Sequence, residues 1–106
     1  MALAHDVSFA ASALRDLEEL REWYASQLAP EVGERLVRRV VARVEQLAEF
    51  PESGRIVPEF ETAWLRELVE PPYRIVYRFD DRRVRVVRVW RSERLMHDVR
   101  LEDEPK

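Results

Sequence analysis

The chain has 106 residues, 46% hydrophobic and 37% charged, a composition that fits one folded domain and excludes an intrinsically disordered chain. It has no cysteine and only two histidines, far apart in sequence, so we expect no disulfide and no metal site, and nothing indicates a cofactor. No apolar run approaches the ~20 residues of a membrane span, and the first residues lack a signal-peptide pattern, which predicts a cytoplasmic protein without membrane contact.

The charge is unevenly distributed along the chain. The net charge is −3, yet the segment from Tyr73 to Arg94 holds eight arginines against three acidic residues and carries +5, which leaves −8 for the remainder. A basic patch on an acidic protein indicates an anionic partner for one face only.

The N-terminal half predicts a strand followed by two helices. Apolar residues alternate over residues 3–9, as in a strand, and then recur at three- and four-residue steps over residues 10–28, as in a helix. Pro30 suits the first turn of a second helix, whose apolar stripe covers residues 32–48 and ends before Pro51. Both helices should be about 28–30 Å long and form an antiparallel hairpin.

The C-terminal half predicts three strands. Residues 64–69 form one, residues 73–79 form the next by strict alternation, and residues 84–90 return after a hairpin turn as a strand in a central position. The predicted fold class is α+β: an N-terminal strand, an antiparallel two-helix hairpin, then a three-stranded antiparallel meander packed against the hairpin. We expect one domain over residues 1–101 and a polar tail over residues 102–106.

Four segments of the chain resemble motifs of the RelE/ParE family of bacterial toxins. In chain order they are Ala13-Leu14-Arg15-Asp16-Leu17, Gly54-Arg55-Ile56-Val57-Pro58-Glu59, Arg66-Glu67-Leu68 with Tyr73-Arg74-Ile75-Val76-Tyr77, and Val87-Arg88-Val89-Trp90-Arg91-Ser92-Glu93-Arg94. The match spans roughly residues 7–96. The resemblance implies the fold of that family, no cofactor, and a cognate antitoxin that wraps and neutralises the chain in a hetero-oligomer. It also implies one of two targets, DNA gyrase or mRNA on the ribosome.

If the target is mRNA, the resemblance implies catalytic roles for several residues. Cleavage needs a base for the 2′-OH proton, a cation for the phosphorane and an acid for the leaving oxygen. Glu59 and Arg74 match the family's glutamate and arginine. Arg91 replaces its usual histidine, Arg94 fits the arginine that follows, and His97 could supply the acid only if the C-terminal segment folds back. The alternative for Glu59 is a structural ion pair with a neighbouring arginine, Arg55 or Arg66.

A gyrase inhibitor acts by binding and needs no catalytic acid. The long helical hairpin and the Gly-Arg-x-x-Pro-Glu turn resemble ParE-like members, and they favour gyrase as the target. The target-binding residues would then be Arg74, Arg88, Arg91 and Arg94. A third possibility is a non-toxic interaction module, including one that binds nucleic acid through phosphate charge alone.

The aromatic residues are predicted to be mostly core. Tyr73 and Tyr77 sit at strand spacing, and their alternation leaves no stacking platform of the kind that RNA-binding sheets use. Trp23, Trp64 and Trp90 are predicted to pack inside, although one of them at the edge of the hairpin could anchor the antitoxin. We expect the antitoxin to bind as an amphipathic helix or strand along the hairpin and the sheet edge.

Overall fold

The computed structural model describes residues 4–92, which form one five-stranded mixed sheet with two helices packed on one face. The elements in chain order are β1 (Asp6–Phe9), α1 (Ala11–Ser26), α2 (Pro30–Glu45), a 3-10 turn (Gln46–Ala48), β2 (Arg55–Ile56), β3 (Leu65–Glu70), β4 (Tyr73–Phe79) and β5 (Arg83–Arg91). The strand order across the sheet is β1-β5-β4-β3-β2. The predicted α+β class is confirmed.

The sheet differs from the predicted meander in two ways. β1 joins it in parallel with β5, with Asp6 opposite Arg83 and Phe9 opposite Val86, so the sheet is mixed. The segment predicted as a loop contains β2, whose two residues pair with β3 and are too few to show alternation. β5 lies between β1 and β4, so its predicted central position is confirmed.

The two helices are shorter than predicted. Each has 16 residues, which corresponds to about 24 Å. α1 ends at Ser26 because the chain turns at Leu28, which has a left-handed φ of 59° and is 90% exposed. The second predicted helix tightens into the 3-10 turn after Glu45. Neither helix of residues 4–92 has the length and apolar character needed to cross a membrane.

The main hydrophobic core lies between the helices and the sheet. It includes Leu17, Leu20, Val37, Val40, Val44, Leu47, Leu68, Tyr73, Ile75, Tyr77, Val84, Val86 and Val89. The prediction that Tyr73 and Tyr77 are core residues is confirmed. On the opposite face, which we call the open face, a smaller cluster consists of Val57, Leu65, Val76, Val87 and Trp90, with Phe60 packed against it. The segment of residues 57–60 therefore covers part of the open face.

The three tryptophans do not all pack as predicted. Trp90 is buried in the open-face cluster, whereas Trp23 is 52% exposed and Trp64 is 42% exposed. Neither exposed ring belongs to one of the two hydrophobic clusters, so each is available for contact with a partner.

Side chains of α1 complete the edge of β5. β1 pairs only with the first four residues of β5, so the second half of that strand extends past β1. There the Ser12 hydroxyl donates to the Val87 carbonyl at 2.7 Å, and Asp16 Oδ2 accepts the Val89 N–H at 2.8 Å. Asp16 also accepts two hydrogen bonds from the Arg88 guanidinium, at 2.7 and 2.9 Å. The helix thus supplies the hydrogen bonds that a further strand would have made.

Candidate functional site

Two glutamates and two arginines form a charge network on the open face of the sheet. Glu67 of β3 and Arg74 of β4 point to this face because they alternate with residues of the main core. The Glu67 side chain is fully buried and that of Arg74 is 7% exposed, while Glu59 is 23% exposed. Arg55 of β2 stands directly opposite Glu67 and completes the network.

Arg74 lies at the centre of the charge network and binds both glutamates. Its Nε donates to one oxygen of Glu67, and its Nη2 donates to the other at 3.2 Å. Its two terminal nitrogens each donate to one oxygen of Glu59 at 3.1 Å. Arg55 Nε donates to Glu67 at 2.9 Å. Two positive and two negative charges therefore share one partly buried site with no net charge.

The electrostatics of the charge network keep Arg74 positively charged. Burial lowers the pKa of Arg74, but its hydrogen bonds to Glu59 and Glu67 outweigh burial and raise that pKa above its usual value. A guanidinium in this state cannot donate a proton to a leaving group. Arg74 can neutralise and orient a neighbouring anion, and it already does so for two carboxylates.

The loop that carries Glu59 is tied to the sheet by Tyr77. The Tyr77 hydroxyl donates to the Pro51 carbonyl at 2.7 Å and accepts the Gly54 N–H at 2.9 Å. Burial raises the pKa of Tyr77, so the hydroxyl remains a protonated donor at neutral pH. Arg66 Nη1 donates to the carbonyls of Glu52 and Gly54, both at 3.1 Å. Sequence analysis identified Tyr77 as a core ring but missed this use of its hydroxyl.

Gly54 has no space for a side chain. A Cβ at this position would lie 2.6 Å from Tyr77 Oη and 2.7 Å from the Glu67 backbone oxygen. We therefore expect Gly54→Ala to lower the free energy of unfolding by about 1–3 kcal/mol, the usual effect of overpacking. Urea denaturation of the purified chain measures this change.

Gly33→Ala is the control for Gly54→Ala. The closest atom to its new methyl group is the side-chain Cβ of Tyr24 at 3.1 Å, and alanine is favoured over glycine in a helix by about 1 kcal/mol. The control should therefore lose less stability than Gly54→Ala. Equal stability of Gly54→Ala and the parent chain would contradict the close packing of Gly54 against Tyr77 and Glu67.

The structure brings together only part of the set predicted from the sequence. Glu59 and Arg74 are in direct contact. Glu59 therefore forms an ion pair, as one of the predictions had it, but with Arg74 as a partner that was not expected. Arg55, one of the two partners considered, binds Glu67. Glu67 was missed as a site residue. The signal for it was an acidic residue inside a strand that is otherwise largely apolar, because such a residue needs a buried cationic partner.

The other predicted arginines do not join the charge network. Arg88 binds Asp16 and lies 4.8 Å from the centre of the Trp90 ring. Arg91 is exposed at the end of β5 and lies 5.9 Å from the Tyr73 ring, which faces the helices. Arg91 and Arg74 are thus on opposite faces of the sheet. Arg94 and His97, like the predicted tail of residues 102–106, lie outside the described residues.

A second surface, which we call the tryptophan groove, lies between α1 and the ends of β4 and β5. Its volume is about 410 Å³, and it is lined by Asp16, Glu19, Leu20, Trp23, Tyr73, Val89, Trp90 and Arg91. Burial is the main cause that raises the pKa of Tyr73, and the neighbouring Tyr24 raises it further. The buried Nε1 of Trp90 finds no hydrogen-bond acceptor among residues 4–92. The groove therefore presents the half-exposed Trp23 ring beside apolar side chains and the charged residues Asp16, Glu19 and Arg91.

Comparison with known proteins identifies related toxins. The sequence model of the ParE toxin of the type II toxin-antitoxin system parDE matches residues 7–96. Toxin RelE2 of Caulobacter vibrioides is 42% identical over 84 residues, which are 78% of this chain and 90% of that protein.

Two solved structures share the fold at low sequence identity. A chain of the chromosomal ParDE toxin–antitoxin system of P. aeruginosa aligns with a TM-score of 0.71 at 23% identity, over 85% of this chain and 98% of that one. A chain of the RelBE2 toxin–antitoxin complex of Mycobacterium tuberculosis aligns with a TM-score of 0.63 at 24% identity, over 84% and 99% of the two chains.

Proposed function

This chain belongs to the ParE toxin family of type II toxin–antitoxin systems, and from that membership we propose that it arrests bacterial growth by binding DNA gyrase. The observation that carries the proposal is the charge network. Both oxygens of Glu59 accept hydrogen bonds from Arg74, and Arg74 is also bound to the fully buried Glu67. These contacts support a structural role for Glu59 and Arg74, and a toxin that acts by binding needs no general acid or base.

Exposed residues elsewhere are better suited to contact a target. Arg91 is exposed at the end of β5, and the sequence continues from there to Arg94 and the C-terminal segment. We propose Arg91 and Arg94 as contacts with gyrase. Arg74 and Arg88 are largely buried in ion pairs, at 7% and 15% side-chain exposure, and we propose that they hold the strands that present this surface.

Assays of gyrase and ribosomes with the purified chain test the proposal. We expect the chain to inhibit gyrase supercoiling of a plasmid and to increase trapped gyrase–DNA cleavage complexes, with both effects reversed by the cognate antitoxin. In parallel, mRNA on translating ribosomes should remain intact. Cut mRNA together with unaffected gyrase would contradict the proposal.

One observation favours ribosome-dependent RNA cleavage as the second candidate function. The contact of Glu59 with Arg74 at 3.1 Å puts a carboxylate beside a cation, the pair that such a reaction needs as base and phosphate ligand. The two residues, with Pro58 and Ser92, also line a cavity of about 390 Å³. In this alternative the substrate phosphate would displace Glu59 from Arg74.

We further propose that the cognate antitoxin binds in the tryptophan groove. The ring of Trp23 is 52% exposed and lines this groove beside Leu20 and Tyr73. An amphipathic helix or strand of the antitoxin would bury this ring.

Trp23→Ala should weaken antitoxin binding by about 30-fold or more, because a half-exposed tryptophan buried by a partner is a typical hot spot. Calorimetry with the purified antitoxin measures this change. Trp64→Ala, which removes a similarly exposed ring at another place on the surface, is the matched control and should change the dissociation constant less than about twofold. Equal effects of the two substitutions would rule out the tryptophan groove as the docking surface.

A further inference from the structure

A third surface, which we call the arginine groove, lies where β4 and β5 meet at their hairpin. Its volume is about 670 Å³. It is lined by Ser8, Trp64, Arg78, Phe79, Asp80, Arg83 and Arg85. None of these residues belongs to the charge network or to the tryptophan groove, so the arginine groove is a separate site.

The arginines of this groove are brought together by the pairing of the strands. Arg78 of β4 stands directly opposite Arg85 of β5, and Arg85 stands opposite Ser8 of β1, whose hydroxyl lies 3.3 Å from the guanidinium. Arg83 lies two residues before Arg85 and so on the same face of the strand. The strand pairing therefore places three guanidinium groups along one face of the hairpin.

Asp80, the one acidic residue among those that line the groove, is hydrogen-bonded within the hairpin turn. Asp80 Oδ1 accepts the N–H groups of Arg82 and Arg83, both at 2.9 Å. These two hydrogen bonds lower the pKa of Asp80, so it stays ionised. Three arginines against one aspartate give the groove lining a charge of +2, although the whole chain carries −3.

The arginine groove also contains an aromatic ring. Trp64 is 42% exposed, and its backbone carbonyl accepts the Phe79 N–H at 3.0 Å, which fixes this residue beside the end of β4. The sequence predicted no aromatic platform beside the arginines, because the alternating aromatics of β4 face the helices. Tyr73 and Tyr77 do pack in the main core, and the ring in this groove comes instead from Trp64, the residue that precedes β3.

We propose that the arginine groove binds single-stranded nucleic acid, with its phosphates on the arginines and a base stacked on Trp64. Guanidinium groups bind phosphate through paired hydrogen bonds, and an exposed tryptophan stacks on any base. A poly-acidic peptide would satisfy the arginines but has no flat ring to cover Trp64. This binding goes beyond the proposed contact with gyrase and does not depend on it.

Fluorescence anisotropy of the purified full-length chain tests the proposal. The probes are labelled single strands of about 12 nucleotides, oligo-dT and oligo-rU, titrated over a range of salt concentrations. Unlabelled polyglutamate and inorganic phosphate serve as competitors. We expect saturable binding of at least one single strand. Preference for oligo-dT would identify DNA as the source of the ligand, and preference for oligo-rU would identify RNA.

Two variants separate the charge contribution from the stacking contribution. Arg83→Gln with Arg85→Gln should reduce the slope of log affinity against log salt by about 1.4, because each phosphate contact on a single strand contributes about 0.7. Trp64→Ala should weaken binding about tenfold and leave that slope unchanged. The matched controls are Arg38→Gln with Arg39→Gln, two exposed arginines of α2, and Trp23→Ala. Thermal unfolding confirms that each variant is folded.

Three results would overturn the proposal. The first is the absence of binding to either single strand at low salt. The second is an equal loss of affinity in the groove variants and in the α2 and Trp23 controls, because attraction would then be a property of the whole surface. The third is displacement of the single strands by polyglutamate at equal charge, which would assign the groove to an acidic peptide. Antitoxin binding and gyrase inhibition are measured in separate assays. A negative result for nucleic-acid binding would therefore not contradict the proposed function.

Discussion

Replacing Arg74 with methionine should lower the free energy of unfolding by about 3–5 kcal/mol. The substitution keeps the apolar stem of the side chain but removes the cation that binds the fully buried carboxylate of Glu67. The partner left to Glu67 in the charge network is Arg55, whose side chain is 62% exposed and therefore well solvated. A buried carboxylate without a buried counter-charge is among the most destabilising single changes in a protein. Urea denaturation of the free chain measures the loss.

Two comparison variants identify the cause of this loss. Glu59→Gln removes the more exposed partner of Arg74 and should cost less than about 1 kcal/mol. Combining Arg74→Met with Glu67→Leu removes both buried charges, and the double variant should recover most of the lost stability. If Arg74→Met alone lowers the free energy of unfolding by less than about 1 kcal/mol, then the Glu67 carboxylate does not need Arg74 as its counter-charge. That result would contradict the geometry of the charge network.

Asp16→Ala should have the second largest effect and lower the free energy of unfolding by about 3 kcal/mol. The structural change that causes this loss should be confined to the end of β5. The Asp16 carboxylate, 7% exposed, accepts two hydrogen bonds from Arg88 and one from the Val89 N–H. Its loss leaves the largely buried Arg88 guanidinium without this carboxylate and removes the hydrogen-bond acceptor of the Val89 N–H at the edge of β5. Urea denaturation measures the global loss, and hydrogen exchange of the Val89 amide measures the local one.

The matched control for Asp16→Ala is Glu22→Ala, an exposed acidic residue on the same helix. It should change stability by less than about 0.5 kcal/mol and leave exchange at Val89 unaltered. If the Val89 amide remains equally protected after Asp16→Ala, then α1 does not serve as the partner of this strand edge.

The segments that resemble the toxin family contribute structural contacts in this chain. Asp16 of the first segment holds β5, and Gly54 of the second makes space for Tyr77. Glu67 and Arg74 of the third pair across adjacent strands in the charge network. Similarity in these segments therefore explains the shared fold.

Much of the fold could be predicted from the sequence, because its local patterns are strong. The three- and four-residue spacing in α1 and α2 and the alternation in β4 each follow from the burial of one face. The parallel pairing of β1 with β5 could not be predicted, because it joins segments separated by two helices. β2 was missed because two residues carry no periodic signal, and the end of α1 was missed because an exposed leucine, Leu28, occupies a left-handed turn.

The candidate sites were harder to predict than the fold. The resemblance singled out Glu59 and Arg74, but the ion-pair partner considered for Glu59 was Arg55 or Arg66, and the contact with Arg74 came from the structure. The buried partner Glu67 depends on the register of β3 against β4. The arginine groove depends on the pairing of Arg78 with Arg85, which is set by a register shift next to Val76 and Tyr77. A bulge changes which side chains face each other, and the sequence gives no sign of its position.

Growth of bacteria that express Glu59→Gln tests most directly whether the chain acts by binding or by cutting RNA. This substitution removes the candidate base while leaving Arg74 bound to Glu67, so the fold should persist, as thermal unfolding of the purified variant can verify. Binding to gyrase predicts that the variant arrests growth as fully as the parent chain and still traps gyrase on DNA. A folded variant that permits normal growth and no longer cuts mRNA on ribosomes, where the parent chain does, would contradict this account.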